Sequence, residues 1–226
     1  IAMTIAVPSR SMHQITYPIT AELLNNGDKD GLQKLYFKSS LTLFIASGLL
    51  FILIIINLDE LYLLLPEDYR GGFTIVFLIG LAKVYDAILG NNNAILYNSD
   101  YYRSVLVMGV FLAIITVLFN MWLIPEYGLD GAAIASFLAF FIYNTIKMIF
   151  VKWKYGLILF TLETVKVFIL LLLLGTVFYF VNFPFHPIPN IVFKSVLAII
   201  IYTGILYRFK ISEDVFEVLN KFLRQK

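Results

Sequence analysis

The sequence contains no cysteine, which excludes a disulfide framework, cysteine metal sites and a thiol redox pair. Charge is scarce as well. Asp, Glu, Lys and Arg make up 14% of the chain, against roughly 25% in an ordinary soluble domain. The formal net charge of +2 is far too small to argue for a nucleic-acid partner. Also missing are a nucleophile motif, a P-loop, an HExxH helix and a dinucleotide fingerprint. No catalytic residue, metal ligand set or cofactor is therefore expected. No strand-like alternation competes with helical patterning, so the expected fold class is all-α. Nor does the chain open on Met or on a signal peptide; it begins with Ile inside a hydrophobic run. It is expected to be the C-terminal part of a longer protein.

What fills the 226 residues is apolar surface: 60% of them are hydrophobic, and the mean hydropathy is +0.86. One soluble core could not hide so much, so the expected solvent is lipid and the expected architecture a polytopic membrane bundle. Seven spans are read, at 1–24, 35–57, 71–98, 105–124, 131–151, 162–181 and 191–208. Each is near the length that crosses a ~30 Å hydrocarbon core at 1.5 Å per residue. The third is the longest and is expected to tilt or project. Asn25-Asn26-Gly27-Asp28, Pro66 with Gly71-Gly72, and Pro125 with Gly128 punctuate the spans. Pro184, Pro187 and Pro189 would hold the last outer loop extended, and Pro8 and Pro18 should kink the first helix.

Basic residues set an expected orientation. Of the 17 Lys and Arg, thirteen fall on one side: Lys29, Lys34, Lys38, Arg103, Lys147, Lys152, Lys154, Lys166, Arg208, Lys210, Lys221, Arg224 and Lys226. Only Arg70 and Lys194 fall on the other, where Asp59, Glu60, Glu67, Asp68, Glu126 and Asp130 lie. The first side, with the C-terminus, reads as cytoplasmic. After the last span, Ser212 could cap a short interfacial helix with Val215, Phe216, Leu219 and Phe222 on its apolar side. Glu217, Lys221 and Arg224 would form its polar side, and a frayed tail is the alternative.

The first span carries the sharpest signal. Arg10 sits near its middle, where an ionised Arg facing lipid costs about 2.5–3.5 kcal/mol on insertion scales. Arg10, His13, Gln14, Tyr17 and Thr20 share one helical stripe, while Ile5, Met12, Ile15 and Ile19 lie opposite. A guanidinium presents a planar fork of donors that suits phosphate oxygens and keeps its charge at any reachable pH. Arg10, His13, Gln14 and Tyr17 are thus candidate substrate-binding residues. Against this stands an Arg10 paired structurally with a carboxylate on the part of the protein absent from this sequence. His13 could gate by protonation or simply be hydrogen-bonded.

A second constellation lies on the third span. Lys83 and Asp86, three residues apart, can neutralise each other on one helix face. Gly90, Asn93 and Tyr97 continue that stripe, and Asn91 and Asn92 widen it. Lys83, Asp86, Asn91, Asn92 and Asn93 are candidate ion-coupling or cavity-lining residues; an internal salt bridge with interhelical hydrogen bonds is the bland alternative. Gly128, Gly131, Ala132, Ala133, Ala135 and Ser136 form a small-residue patch that reads as close helix packing. The acidic outer loop reads as solvated.

Placed in order, these residues give the chain a resemblance to a known family. They include Pro8-Ser9-Arg10, Tyr17-Pro18, Asn26-Gly27-Asp28 and Leu35-Tyr36-x-Lys38-Ser39-Ser40. Leu65-Pro66…Tyr69, Gly90-Asn91-Asn92 and Tyr101-Tyr102-Arg103 follow. The fullest run is Asn120-x-x-Leu123-Ile124-Pro125-x-Tyr127-Gly128-x-x-Gly131-Ala132-Ala133-Ile134-Ala135. Over roughly 7–154 the chain resembles the C-terminal half of the polysaccharide and O-antigen flippases of the multidrug/oligosaccharidyl-lipid/polysaccharide exporter superfamily.

The resemblance implies a transporter lobe over 1–154, two additional transmembrane helices over 155–208 and a cytoplasmic amphipathic tail over 209–226. It implies an undecaprenyl-diphosphate-linked oligosaccharide as substrate, membrane lipid around the protein, and an N-terminal lobe absent from this sequence. Glycan polymerase and glycosyltransferases are the further candidate partners. The implied activity is flipping by alternating access in a bacterial cytoplasmic membrane, through a cationic cavity to which Arg10 matches. Half that cavity is missing, so the chain alone should not transport. A cation-coupled multidrug exporter with Asp86 as its acid, a glycan polymerase and a scaffold are the alternatives.

Overall fold

A computed structural model of the chain describes residues 2–67, 70–181, 183–184, 186–214, 216–217 and 220. The expectations for Asp68, Tyr69, Val215, Leu219, Lys221, Phe222, Arg224 and Lys226 lie outside them. The fold is all-α, with no strand among the described residues. After a 3-10 turn at Ala2–Ala6 come α1 (Val7–Asn25), α2 (Lys29–Ile56), α3 (Leu58–Leu63) and α4 (Phe73–Ile88). Then follow α5 (Asn92–Tyr97), α6 (Tyr102–Tyr155), α7 (Leu162–Phe180) and α8 (Pro187–Arg208). Four of these, α2, α6, α7 and α8, are long and apolar enough to cross a membrane.

The bundle is arranged around α2. Asp28 starts it by accepting the Gly31 N–H at 2.9 Å, a cap of a kind worth about 0.5–2 kcal/mol. Gly27 at φ 65 turns the chain out of α1, and the Asp28 N–H closes back on the Leu23 carbonyl at 3.0 Å. Apolar residues on most sides of α2 then become buried. Phe44, Ile45 and Phe51 pack with Val167, Leu171, Leu174 and Phe178 of α7 and with Ala198 and Tyr202 of α8. Leu32 and Tyr36 join a second cluster with Leu89, Ile95, Val105 and Val151. In lipid these two clusters hold the helices together by close van der Waals packing, because hydrocarbon already gives apolar side chains apolar surroundings.

The first span divides. Pro8 stands in the first turn of α1, after the 3-10 turn, where a missing N–H costs nothing. Only Pro18 lies in the helix interior. The third span also divides: α4 ends at Ile88, Gly90 has φ 54, and α5 begins at Asn92. The expectation of one long helix over 71–98 is therefore corrected to two helices with an elbow between them.

The 54 residues of α6 are a helical hairpin, broken at Gly128 with φ 56 and ψ −128. A Cβ built on Gly131 would touch the Leu123 carbonyl, whereas eight residues of straight helix span about 12 Å. Val105 and Val151 meet in one cluster for the same reason. The separate segments read at 105–124 and 131–151 are thus arms of one element. Ala133, Ala135 and Ala139 are buried in the second arm, in keeping with the small-residue patch as packing. The first arm is apolar all round, and Leu106, Val110, Ile114, Val117 and Met121 are all exposed. Such a surface suits lipid and not water.

Pro187 and Pro189 lie in the first turn of α8 and do not extend the preceding loop. Beyond α8, residues 211–214 return across α2. Lys38 holds Asp214 at 3.1 Å and Glu213 at 3.9 Å. A helical turn follows Ser212, whose carbonyl accepts the Phe216 N–H at 3.0 Å. Phe216 stacks on Tyr207 of α8 at 5.0 Å, so this part of the tail packs on the bundle.

Candidate functional site

Breaking an apolar helix at Gly90 frees backbone groups, and in a lipid setting each must find a partner inside the protein. The sequence provides them from two neighbouring helices. Ser40 of α2 donates to the Ile88 carbonyl. Ser39 accepts the Asn91 N–H at 3.2 Å, and His13 of α1 reaches the Gly90 carbonyl at 3.3 Å. The helices approach so closely that a Cβ on Gly90 would lie 2.6 Å from the Ser40 nitrogen and 2.8 Å from its Cα. Asn91 donates to Thr20 of α1, and Asn92 donates to the Tyr36 hydroxyl at 2.9 Å. The Oδ1 atoms of Asn91 and Asn92 are buried without a hydrogen-bond partner among the described residues.

The elbow brings α5 against the second arm of α6, and there the electrostatics differ from the sequence expectation. Asp86 does not pair with Lys83. Its partner is Lys147, at 3.9 Å, and Lys147 also donates to Asn93 Oδ1 at 2.9 Å. The same ammonium lies 4.5 Å from the Tyr143 ring centroid, and Lys83 instead sits over Phe140 at 5.4 Å. The Lys147 side chain is 2% exposed and that of Asp86 41%. A buried ammonium thus lies beneath a carboxylate that remains open to the surface. His13 on the Gly90 carbonyl and Thr20 on Asn91 join the two constellations read from the sequence, bringing α1 against the elbow between α4 and α5.

Along α1 the stripe splits. Arg10 and Gln14 are exposed, while His13 and Tyr17 are half-buried with their rings 5.7 Å apart. Arg10 forms no ion pair and no hydrogen bond among the described residues. The buried face is instead made of small hydroxyl residues, Ser9, Thr16 and Thr20. Thr16 and Thr20 satisfy themselves on carbonyls one turn back, at 3.1 and 2.6 Å.

Two lysines counted as loop charges are buried. Lys147 is one. The other is Lys194 of α8, which donates to the Ile56 carbonyl at 2.6 Å and stands 3.8 Å from Glu60. Asn190 donates to the same carboxylate at 2.7 Å. Lys194 occupies the C-terminus of α2 and Glu60 the first turn of α3, the ends where those charges are favoured. Glu60 is correspondingly buried, not part of a solvated loop. With both lysines removed the expected bias is twelve against one, unchanged in sign. Lys147 was read from the sequence only as a flanking charge, and Tyr143 was not singled out. The available signal was a lysine four positions inside the end of an apolar segment, where a cation needs an internal partner.

No protein-family profile, curated protein or solved structure matches the chain.

Proposed function

We propose that the chain is part of a transporter that moves an undecaprenyl-diphosphate-linked oligosaccharide across a bacterial cytoplasmic membrane by alternating access. A sugar diphosphate cannot cross hydrocarbon unaided, so polar groups of a wet cavity must replace its hydration. The observation that carries the reading is the state of Arg10. It is exposed on a helix set in a bundle compatible with a membrane protein, and no acid among the described residues neutralises it. Its fork suits a diphosphate, and one turn further along α1 His13 reaches the elbow at Gly90. The reading places the C-terminus on the cytoplasmic side and makes surface polysaccharide the product pathway. The Asp86–Lys147 pair weighs against a cation exporter, because the acid such a transporter needs is already matched.

The test is complementation of a flippase-null strain by the full-length protein. At normal membrane abundance Arg10→Ala abolishes surface polysaccharide, and Arg10→Lys, which keeps the charge without the fork, restores only part of it. Unchanged polysaccharide in Arg10→Ala refutes the proposal.

A further inference from the structure

Where α2 and α7 begin and α8 has ended, residues 210–214 return across α2 and border a cavity of about 480 Å³, within the ~300–1,000 Å³ of small-molecule sites. Three cations, Lys34, Lys38 and Lys210, and three acids, Glu163, Glu213 and Asp214, line it. They do not cancel in pairs. Lys38 takes Asp214 at 3.1 Å and Glu213 at 3.9 Å, and Asp214 also accepts from Thr42 at 3.4 Å. Lys34 and Glu163 form no ion pair among the described residues. The Lys210 ammonium meets only the Phe216 ring, 5.3 Å from its centroid. Lys210 also holds φ 50, a left-handed conformation in which glycine is the cheaper residue. The turn alone therefore does not account for a lysine there.

The position of the cavity along α2 decides what it meets. Lys34 and Lys38 lie just before the apolar run that begins at Leu41, and Phe37 and Leu41 give the cavity an apolar wall. In a bundle that crosses a membrane, such a boundary is the level of phospholipid headgroups and the first acyl carbons. A phosphodiester brings one negative charge and acceptor oxygens to two ammonium groups that lack a carboxylate. A headgroup with negative charge alone would leave Glu163 facing its own sign. One that adds a primary ammonium gives Glu163 a cation with N–H donors, which a trimethylated amine does not have. We propose that this cavity binds the zwitterionic headgroup of a primary-amine phospholipid. Its phosphate lies between Lys34 and Lys210, its ammonium at Glu163, and its chains leave past Phe37 and Leu41. Inorganic phosphate shares the anionic part of this chemistry and lacks both the amine and the chains.

Native mass spectrometry of the full chain released from detergent micelles reads which lipid binds first. Dioleoyl phosphatidylethanolamine, phosphatidylglycerol and phosphatidylcholine compete, with inorganic phosphate as a further competitor. Wild type takes the ethanolamine lipid at least threefold over each of the others, and excess inorganic phosphate does not displace it. Lys34→Gln combined with Lys210→Gly lowers its binding at least tenfold. Glycine suits the turn at φ 50, and circular dichroism checks that helix content is kept; Lys34→Gln alone, on an exposed helix face, lowers binding at least threefold. Glu163→Gln takes the ethanolamine and glycerol lipids equally. Equal binding of the three lipids by wild type, or tighter binding of phosphatidylglycerol, overturns the proposal. So do displacement by inorganic phosphate, unaltered binding in the lysine variants, and an ethanolamine preference that survives Glu163→Gln. None of these outcomes bears on Arg10, so this proposal and the diphosphate grip fall separately.

Discussion

Replacing Gly90 by alanine adds one methyl group at the place where the chain has least room for it. The residue has φ 54, a left-handed conformation that costs an L-residue about 1–2 kcal/mol. The new Cβ would stand 2.6 Å from the Ser40 nitrogen and 2.8 Å from the Ser40 Cα. Both are backbone atoms of α2 and cannot rotate aside. Relief requires moving α4–α5 away from α2, an overpacking cost of about 1–3 kcal/mol. Any such movement also stretches the contacts of Ser40 with Ile88, Ser39 with Asn91 and His13 with Gly90. The total is about 2–5 kcal/mol. Gly27→Ala is the matched control: Gly27 has φ 65, but a Cβ there meets nothing within 4 Å, so it carries strain alone, about 1–2 kcal/mol. Unfolding of the purified chain in mixed micelles by increasing SDS, followed by circular dichroism, measures both. Gly90→Ala should be the more destabilising by 1 kcal/mol or more, with faster hydrogen exchange at the Asn91 amide. Equal effects of the two substitutions would refute the close approach of the elbow to α2.

Other parts of the architecture give equally direct outcomes. Lys194→Ala should destabilise the same unfolding transition by about 3–5 kcal/mol, because it leaves the Glu60 carboxylate buried without its cation; Glu60→Gln in the same chain should recover part of the loss. The absence of native cysteine allows Tyr101→Cys and Lys154→Cys, whose parent side chains meet at 4.9 Å, to be introduced together as a clean pair. A short bifunctional maleimide should join them within one chain, whereas an unbroken helix through α6 would hold them about 80 Å apart and give no product.

Helix content, the apolar surface and most turns are legible along the chain, because each depends on residues adjacent in sequence. Gly27, Pro66 with Gly71-Gly72, and Gly128 mark chain turns wherever they occur, and the capping role of Asp28 is equally local. Gly90 is the exception. It continues the Lys83–Asp86 stripe so well that an unbroken helix is the natural reading. Only the three asparagines after it, residues that tolerate turns, hint otherwise.

What the chain alone determined is that this is a helical, lipid-compatible bundle with polar residues set where an apolar segment resists them. Which of those residues meet was decided by tertiary packing. Sequence spacing can pair Asp86 only with a neighbour on its own helix, Lys83. The hairpin at Gly128 instead delivers Lys147 to it from 61 positions away. The same holds for Lys194, which looks like a loop charge until α8 docks it over the end of α2. Periodicity fixes the direction of a side chain around its own helix axis. The counter-charge it finds depends on how whole helices lie against one another.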